Sequence, residues 1–433
     1  MRIILTFFIT LFLAVPAFTA ELTSALDQNI NAVMTKVIDW RHHFHQFPEL
    51  SNREYKTQKS IADALTEMGL EPNLDYGITG VTAFIRGQNS GPLIALRADI
   101  DGLPVTEQLN LPFSSKEKTT YQGNEIGVMH ACGHDAHIAI LLGVASFLSQ
   151  NTDKLNGDIM LIFQPAEEGA PAGEDGGAEL MLKQGLFELE KPDAIFGLHV
   201  SNFSHGTIML KPGPAMASAE AFRINIEGKQ THGSRPWEGA DPIVAAFNIG
   251  TTLQTIVSRR LNLLDSQAVV SVGIMKAGTR NNIIPQHAML EGTIRTFQDS
   301  YADQIRDEIK LIAENVAAAH HATATVDFKI YGGYPVTFND LDLSKKYGPV
   351  LKKAADGNYY EALVPRTGAE DFSFFAQQVP GLFFFLGVNP PEAESMPTNH
   401  SPYFYIDDAA LDNGVKAFVS LVEEFSVDFN KTN

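Results

Sequence analysis

Short apolar segments alternate with helix-like segments along most of this 433-residue chain, and this alternation most strongly limits its fold. The apolar segments with the length of buried strands are 92–100, 158–163, 194–200 and 382–388. The segments with helical spacing of apolar residues include 54–68, 137–148 and 177–184. Strands that alternate with helices form a mostly parallel sheet with helices on both faces. The sequence therefore predicts an open α/β domain.

The segment 217–332 has a different order of elements. Its predicted strands are 219–227, 268–275, 288–296 and 323–330, and its predicted helices are 242–260 and 301–320. The resulting β-α-β-β-α-β order is typical of a small antiparallel sheet backed by two helices. A chain of this length also exceeds a comfortable single core. We therefore predict a large domain formed by 21–216 and 333–433, with a small α+β domain inserted at 217–332.

The first twenty residues have the pattern of a secretory signal peptide, because Arg2 precedes an apolar run that ends in small residues. The apolar run is short for a membrane span of about 20 residues, so a retained anchor is the weaker alternative. We expect cleavage near Ala17 to Ala20, a secreted or periplasmic protein, and no membrane association after cleavage. The net charge of −19 argues against nucleic acid and anionic lipid as partners.

The segment 129–137, Met-His-Ala-Cys-Gly-His-Asp-Ala-His, contains the only cysteine of the chain and three histidines. Thiolate and imidazole are ligands that divalent transition metals prefer. A single cysteine excludes an internal disulfide, but Cys132 could also be a buried thiol or a nucleophile. A metal site at this segment needs further ligands from elsewhere in the chain.

Polar side chains follow the predicted strands at their carboxyl ends. Asp101 follows the first strand, Glu167 and Glu168 follow the second, and His199 lies near the end of the third. His400 lies in a later loop, and the cysteine-containing segment directly precedes a predicted helix. Each of these residues alone could be a core or surface residue. Because ligands of open α/β sheets bind beyond the carboxyl ends of the strands, we expect the whole set to converge at one edge.

Taken together, these segments resemble the aminoacylase, hippurate hydrolase and auxin-conjugate hydrolase branch of the dinuclear metallopeptidase–amidohydrolase family. The motifs that carry the resemblance are 41–49, 95–104, 129–137, 163–169, 197–200, 231–236, 282–285, 368–372 and 399–402. They follow one another in the same order along essentially the whole chain after residue 20. The resemblance implies a zinc-exopeptidase-like domain with a mostly parallel sheet, and an inserted small domain that acts as a lid or in dimerisation.

The resemblance also implies a ligand set for two divalent metal ions, which could be Zn, Mn or Co. The implied ligands are Cys132, His134, Glu168, His199 and His400. Glu167 is the implied catalytic carboxylate, acting as general base and then as general acid. The wider family has a His-x-Asp motif where this chain has Asp99-Ile100-Asp101, so Cys132 replaces that histidine and Asp101 is expected to orient a ligand histidine.

Residues of the small domain are implied to contact the substrate. The resemblance gives His232 a role in stabilising the developing oxyanion, from the partner subunit of a possible homodimer. It associates Asn282 and Arg295 with the carboxylate of the substrate, and a guanidinium pairs well with a carboxylate. A surface location is the alternative for His232 and Arg295. Glu370 and Asp371 are expected to line the pocket, and Glu370 is expected to support the metal site without binding the ions.

The expected function is hydrolysis of the amide bond of a small-molecule N-acyl amino acid, with an acetyl, benzoyl, aryl-acetyl or aliphatic acyl group. A dipeptidase or carboxypeptidase with the same site is the alternative within this chemistry. A periplasmic solute-binding protein is the alternative from another class, and it would not need Glu167. A hydrolase that uses Cys132 as nucleophile would lose activity on alkylation and keep it in the presence of a chelator.

Overall fold

The computed structural model describes residues 21–265, 267–328, 330, 332–393 and 396–432. The predicted signal peptide at 1–20 lies outside the described residues. Within the described ranges, no helix is both long enough and apolar enough to cross a bilayer.

The large domain contains the first eight strands and the first four helices. In chain order these are α1 (Glu21–Gln46), α2 (Tyr55–Glu67), β1 (Val81–Arg86), β2 (Asn89–Asp99), β3 (Lys118–Tyr121), β4 (Asn124–Gly127), α3 (His134–Leu148), β5 (Asn156–Gln164), α4 (Gly177–Lys183), β6 (Ala194–Ser201), β7 (Ile208–Leu210) and β8 (Gly213–Met216).

The chain then forms the small domain and returns to the large one. The small-domain elements are β9 (Ala219–Glu227), β10 (Thr231–His232), α5 (Pro242–Leu253), α6 (Thr255–Arg259), β11 (Ala268–Ala277), β12 (Ile283–Ile284), β13 (His287–Thr296), α7 (Asp299–Ala319), β14 (Thr323–Asp327) and β15 (Gly333–Tyr334). The returning elements are β16 (Thr337–Asn339), α8 (Leu341–Ala354), β17 (Tyr359–Glu361), α9 (Phe372–Ala376), β18 (Gly381–Gly387) and α10 (Leu411–Thr432).

The main sheet has the strand order β1-β5-β2-β6-β18-β7-β17. The four central strands β5, β2, β6 and β18 are parallel, while β1 and β7 pair antiparallel with their neighbours. Both faces are covered: Ile94 and Leu96 of β2 pack into one hydrophobic core, and Ala95 between them packs into another. The predicted α/β fold with a mostly parallel sheet is therefore confirmed, and the carboxyl ends of four strands meet at one edge.

Helix α3 is buried along its whole length, because its Ile, Leu, Ala and Val residues pack between α1, α10 and the sheet. It begins directly after Gly133, whose φ of +93° is in the left-handed region that favours glycine. A Cβ at this position would lie 2.3 Å from Cγ2 of Val200. The close approach of this turn to β6 brings the start of α3 to the carboxyl edge of the sheet.

The small domain is an antiparallel sheet in the order β11-β13-β9-β14, with α5 and α7 packed on one face around a core of its own. The prediction of one helix over 242–260 is wrong, because the helix is interrupted at Gln254. Thr251 and Thr252 donate hydroxyl hydrogen bonds to the carbonyls four residues earlier, an arrangement that bends helices. The strand predicted at 323–330 is β14, and it ends at Asp327, earlier than predicted.

Candidate metal centre

Five side chains from four separate segments meet at the carboxyl edge of the main sheet. The Sγ atom of Cys132 lies 3.4 Å from Nε2 of His199 and 3.2 Å from Nε2 of His400. Oε1 of Glu168 lies 3.2 Å from Nε2 of His400 and 3.9 Å from Nε2 of His134. The structure therefore brings together all five residues that the sequence indicated as ligands.

Neighbouring acceptors fix the orientation of the histidine rings. Nδ1 of His134 lies 3.2 Å from Oδ1 of Asp101, and Nδ1 of His199 lies 2.6 Å from the carbonyl oxygen of Val200. A ring that donates through Nδ1 leaves the lone pair of Nε2 free to bind a metal ion. Both Nε2 atoms point into the cluster. This is the arrangement expected of metal-ligating histidines, and it gives Asp101 the orienting position that the sequence predicted.

The cluster contains a buried imidazole nitrogen without a protein partner. Nε2 of His134 makes no hydrogen bond with any residue in the described part of the chain. Buried polar atoms normally have a partner, and one left without it is costly. Three sets of three side chains in this cluster have ligand atoms that lie within 4.8 Å of one another in each set. Each set includes Cys132 or His134 together with Glu168 or His199. The donor set, with thiolate, imidazole and carboxylate, fits divalent transition-metal ions.

The titration of the cluster reflects its surplus of acidic groups. Burial lowers the pKa of His134, but Asp99, Asp101 and Glu168 outweigh this and raise it to about 10. Burial raises the pKa of the Cys132 thiol well above its usual range, and Glu168 raises it further. A reactive thiolate nucleophile requires a lowered pKa, so these surroundings disfavour the alternative of a cysteine hydrolase. Bound cations would offset the negative charge and favour the thiolate.

Glu167 lies beside the cluster and is buried, with 5% of its surface exposed. Its carboxylate oxygen lies 3.9 Å from Nε2 of His134 and close to the carboxylates of Glu370 and Asp371. Burial raises the pKa of Glu167 well above its usual range, and Glu370 and Glu168 contribute to the increase. A carboxylate that readily takes up a proton next to a cation site is suited to general base and general acid catalysis.

The loop that carries Glu167 is held from two sides. Ala166 has a φ of +56°, an uncommon conformation for a residue with a Cβ. Its N–H donates to Oε1 of Glu54 at 2.9 Å, while the hydroxyl of Tyr334 donates to the carbonyl of Glu167 at 2.5 Å. Tyr334 belongs to β15, where the chain returns from the small domain. The structure thus connects the loop that carries Glu167 with the strand that leads out of the small domain.

Arg97 is the centre of a buried ionic network that the sequence did not reveal. Its guanidinium lies 2.8 Å from Asp99, 2.9 Å from Glu370 and 2.8 Å from Asp371. Glu370 therefore supports the site through Arg97, as well as lying near Glu167. A charged residue within an otherwise apolar strand was the available sequence signal, but two of its partners, Glu370 and Asp371, lie more than 270 residues away.

The three small-domain residues lie apart from this cluster. His232 is exposed and accepts hydrogen bonds from the N–H and hydroxyl of Ser234, and Asn282 is also exposed. Arg295 is half-buried on β13, and burial lowers its pKa. Across the described ranges, no hydrogen bond or ion pair joins these three side chains to the ligands. Their roles in substrate binding therefore stay predictions.

The α/β fold and the cluster of metal-type donors at the carboxyl edge of its main sheet define a metal-dependent hydrolase. Residues 95–424 match the peptidase family M20/M25/M40. This match spans most of the chain, which therefore belongs to that family. The resemblance inferred from the sequence motifs is confirmed.

Curated relatives and a solved structure extend the match. An N-acetyl-L-cysteine deacetylase of Bacillus subtilis is 38% identical over 398 residues, which cover 91% of this chain and 88% of the relative. Thermostable carboxypeptidase 1 of Saccharolobus solfataricus is 36% identical over 408 residues, which cover 94% of this chain and 99% of the relative. The YXEP protein of Bacillus subtilis, described as a dinuclear metal binding peptidase from the M20 family, superposes with a TM-score of 0.73 at 36% identity. That comparison covers 92% of this chain and 99% of the YXEP chain.

Proposed function

We propose that this protein is an N-acyl-amino-acid amidohydrolase that uses two divalent metal ions, Zn, Mn or Co. The observation that carries the proposal is the buried Glu167 carboxylate beside five metal-type donors. The relatives support the choice of substrate, since one is named as an N-acetyl-L-cysteine deacetylase and another, from Arabidopsis thaliana, as an IAA-amino acid hydrolase. The products would be a carboxylic acid and a free amino acid.

The chain supplies the ligands and the proton transfers of this reaction. Cys132, His134, Glu168, His199 and His400 would hold the two ions. When bound, the ions supply a Lewis acid that polarises the scissile carbonyl and lowers the pKa of the attacking water. Glu167 removes the proton from that water and then delivers it to the amide nitrogen as the C–N bond breaks. Arg97 holds Asp99 and Glu370 in place around the Glu167 carboxylate.

The small domain would complete the substrate site. We propose that Arg295 and Asn282 bind the carboxylate of the amino acid, and that His232 stabilises the oxyanion, as the family resemblance implies. We also propose a homodimer formed through the small domains. In support, β11 is an edge strand of its sheet and leaves Val269 and Met275 exposed. Sedimentation of the purified protein would test the dimer.

Secretion is a proposal that rests on the sequence of the first twenty residues alone. If the signal peptide is cleaved, the amino terminus of protein recovered from the periplasm or the medium will lie just after Ala17 or Ala20. An intact Met1 on all of the protein would contradict it.

A carboxypeptidase or dipeptidase with the same site is the second candidate. Thermostable carboxypeptidase 1 is about as similar to this chain as the deacetylases are, and water attack on a peptide uses the same groups. Parallel assays with N-acetyl, N-benzoyl and long-chain N-acyl amino acids and with dipeptides separate the two. Preference for the acyl amino acids supports the proposal, and turnover of peptides alone would replace it. A solute-binding protein would release no product from any of them.

The substitution Glu167→Gln tests the catalytic assignment. It should leave the metal content unchanged and lower kcat by about 100- to 10,000-fold, because an amide cannot accept the proton. Glu71 is exposed, and Glu71→Gln is a matched control that should keep full activity. Metal content comes from elemental analysis of the purified variants, and rates from release of free amino acid. A Glu167→Gln variant with the wild-type rate would remove Glu167 from the mechanism.

A further inference from the structure

Arg366 is an arginine beside the metal centre to which the sequence analysis gave no role. It lies in the loop between β17 and α9, and its backbone is fixed on both sides. Its N–H donates to the carbonyl of Ala215 at 2.9 Å, and its carbonyl accepts from the N–H of Ala217 at 3.0 Å. The segment 215–217 leads from the large domain into the small one. The base of the Arg366 side chain is therefore held firmly against this connection.

The guanidinium of Arg366 reaches towards the ligand histidines. Its Cζ atom lies 4.7 Å from the centre of the Phe385 ring, and its Nη2 donates to Oγ of Ser201 at 3.1 Å. The Phe385 ring is 6.2 Å from the ring of His199. Ser201 follows His199 by two positions in β6, so the two side chains leave the strand on the same face. These contacts place the guanidinium on the wall of the site next to His199.

No acidic side chain among the described residues pairs with Arg366. Its only side-chain hydrogen bond within those ranges is the one to neutral Ser201. Burial lowers its pKa, and only Tyr360 and Cys132 act in the opposite direction. By contrast, the buried Arg97 and Arg41 each contact at least two carboxylates. A partly desolvated guanidinium is costly without an anion, and its planar fork of N–H donors matches a carboxylate.

We propose that Arg366 selects substrates whose acyl group carries a carboxylate at the end remote from the scissile amide. This inference rests on the proposed amidohydrolase function. Arg295, the arginine proposed for the carboxylate of the amino acid, belongs to the small domain, whereas Arg366 belongs to the large domain beside His199. Two half-buried arginines on different domains, neither with an acidic partner in the described part of the chain, match a substrate with two separated carboxylates. Arg366 would bind the acyl carboxylate through its Nε and Nη1 donors.

Two substrates of nearly equal shape test this selection. N-succinyl-L-alanine carries the terminal carboxylate, and N-(4-methylpentanoyl)-L-alanine replaces it with an isopropyl group. In the metal-loaded enzyme, Arg366→Gln should lower kcat/KM for the succinyl substrate by about 10- to 100-fold and change it by less than about threefold for the neutral one. Arg259 is exposed and donates to the carbonyl of its neighbour Ser258, so Arg259→Gln is a control with the same change in charge.

A binding measurement makes the test independent of turnover. Calorimetric titration of the Glu167→Gln protein with N-succinyl-L-alanine should show an affinity that the added Arg366→Gln substitution lowers by about 10-fold or more. If the wild-type enzyme hydrolyses neither substrate and none of the N-acetyl, N-benzoyl and long-chain N-acyl amino acids, the proposed function fails, and the titration still decides the role of Arg366. Equal losses of kcat/KM for both substrates in Arg366→Gln would overturn the inference. So would an affinity for N-succinyl-L-alanine that the substitution leaves unchanged.

Discussion

The substitution Asp101→Asn isolates one contact on which the metal centre depends. The carboxylate of Asp101 is completely buried and uses both of its oxygens. Oδ1 lies 3.2 Å from Nδ1 of His134, while Oδ2 accepts from the hydroxyl of Ser51 at 2.7 Å and from the N–H of Glu168 at 3.0 Å. Asparagine has the same shape but only one acceptor oxygen. In either orientation of the amide, an NH2 group must face a group that now donates to Asp101.

The expected loss of metal affinity follows from the hydrogen bond that Asp101→Asn removes. If the amide nitrogen faces His134, the imidazole must carry its proton on Nε2, which blocks the atom that would bind the ion. If it faces Glu168, the N–H of Glu168 loses its acceptor and the ligand loop shifts. A hydrogen bond to a charged group contributes about 1.5–3 kcal/mol. At about 1.4 kcal/mol per decade, this corresponds to a loss of about 10- to 100-fold in metal affinity.

Competition with a chromophoric chelator measures this affinity for Zn, Mn and Co. Asp63→Asn is the matched control, because Asp63 is exposed and, among the residues that the structure describes, pairs only with Lys59 one helical turn away. The control should bind metal as the wild-type protein does. An Asp101→Asn variant whose affinity stays within about threefold of wild type would show that the Asp101–His134 contact does not orient a ligand.

Two further predictions concern residues behind the site. Burial, with Asp101, raises the pKa of Glu54 to about 8, so the free energy of unfolding of metal-free protein should fall as the pH rises towards 8. In Glu54→Gln, the amide oxygen can still accept from the N–H of Ala166, and the amide nitrogen can donate to the hydroxyl of Thr79. Denaturant titrations at pH 5 and 8 should therefore show a smaller fall in unfolding free energy for this variant than for the wild-type protein. An equal fall in both proteins would contradict the prediction. Arg41→Met removes a buried partner of Asp135 and should cost about 3 kcal/mol of unfolding free energy. A loss below about 1 kcal/mol in urea titrations would show that the pair contributes little.

Much of the fold was predictable because its signals are local. Each central strand is a short apolar run between helical segments, and parallel strands bring their carboxyl ends to one edge. This geometry is why Cys132, His199 and Glu168, which are distant in sequence, could be expected together. The break at Gln254 was not predictable from periodicity, since it depends on where Thr251 and Thr252 direct their hydroxyl groups.

The surroundings of the site were less accessible from the sequence. Arg97, Tyr334 and Arg366 act through partners far away in the chain, and a single arginine or tyrosine carries no signal of its partner. Their importance follows from burial and from the charges around them, which only the packed structure defines. For the same reason the sequence indicated that Glu370 lies near the site but did not show that Arg97 holds it.

The central claim is that side chains from position 132 to position 400 hold a pair of divalent ions. Anomalous diffraction from crystals grown with Mn or Zn tests it most directly. The account predicts two adjacent peaks bounded by Cys132, His134, Glu168, His199 and His400, with the Glu167 carboxylate facing them. No peak at this position after metal loading, or ions bound only elsewhere on the protein, would contradict it.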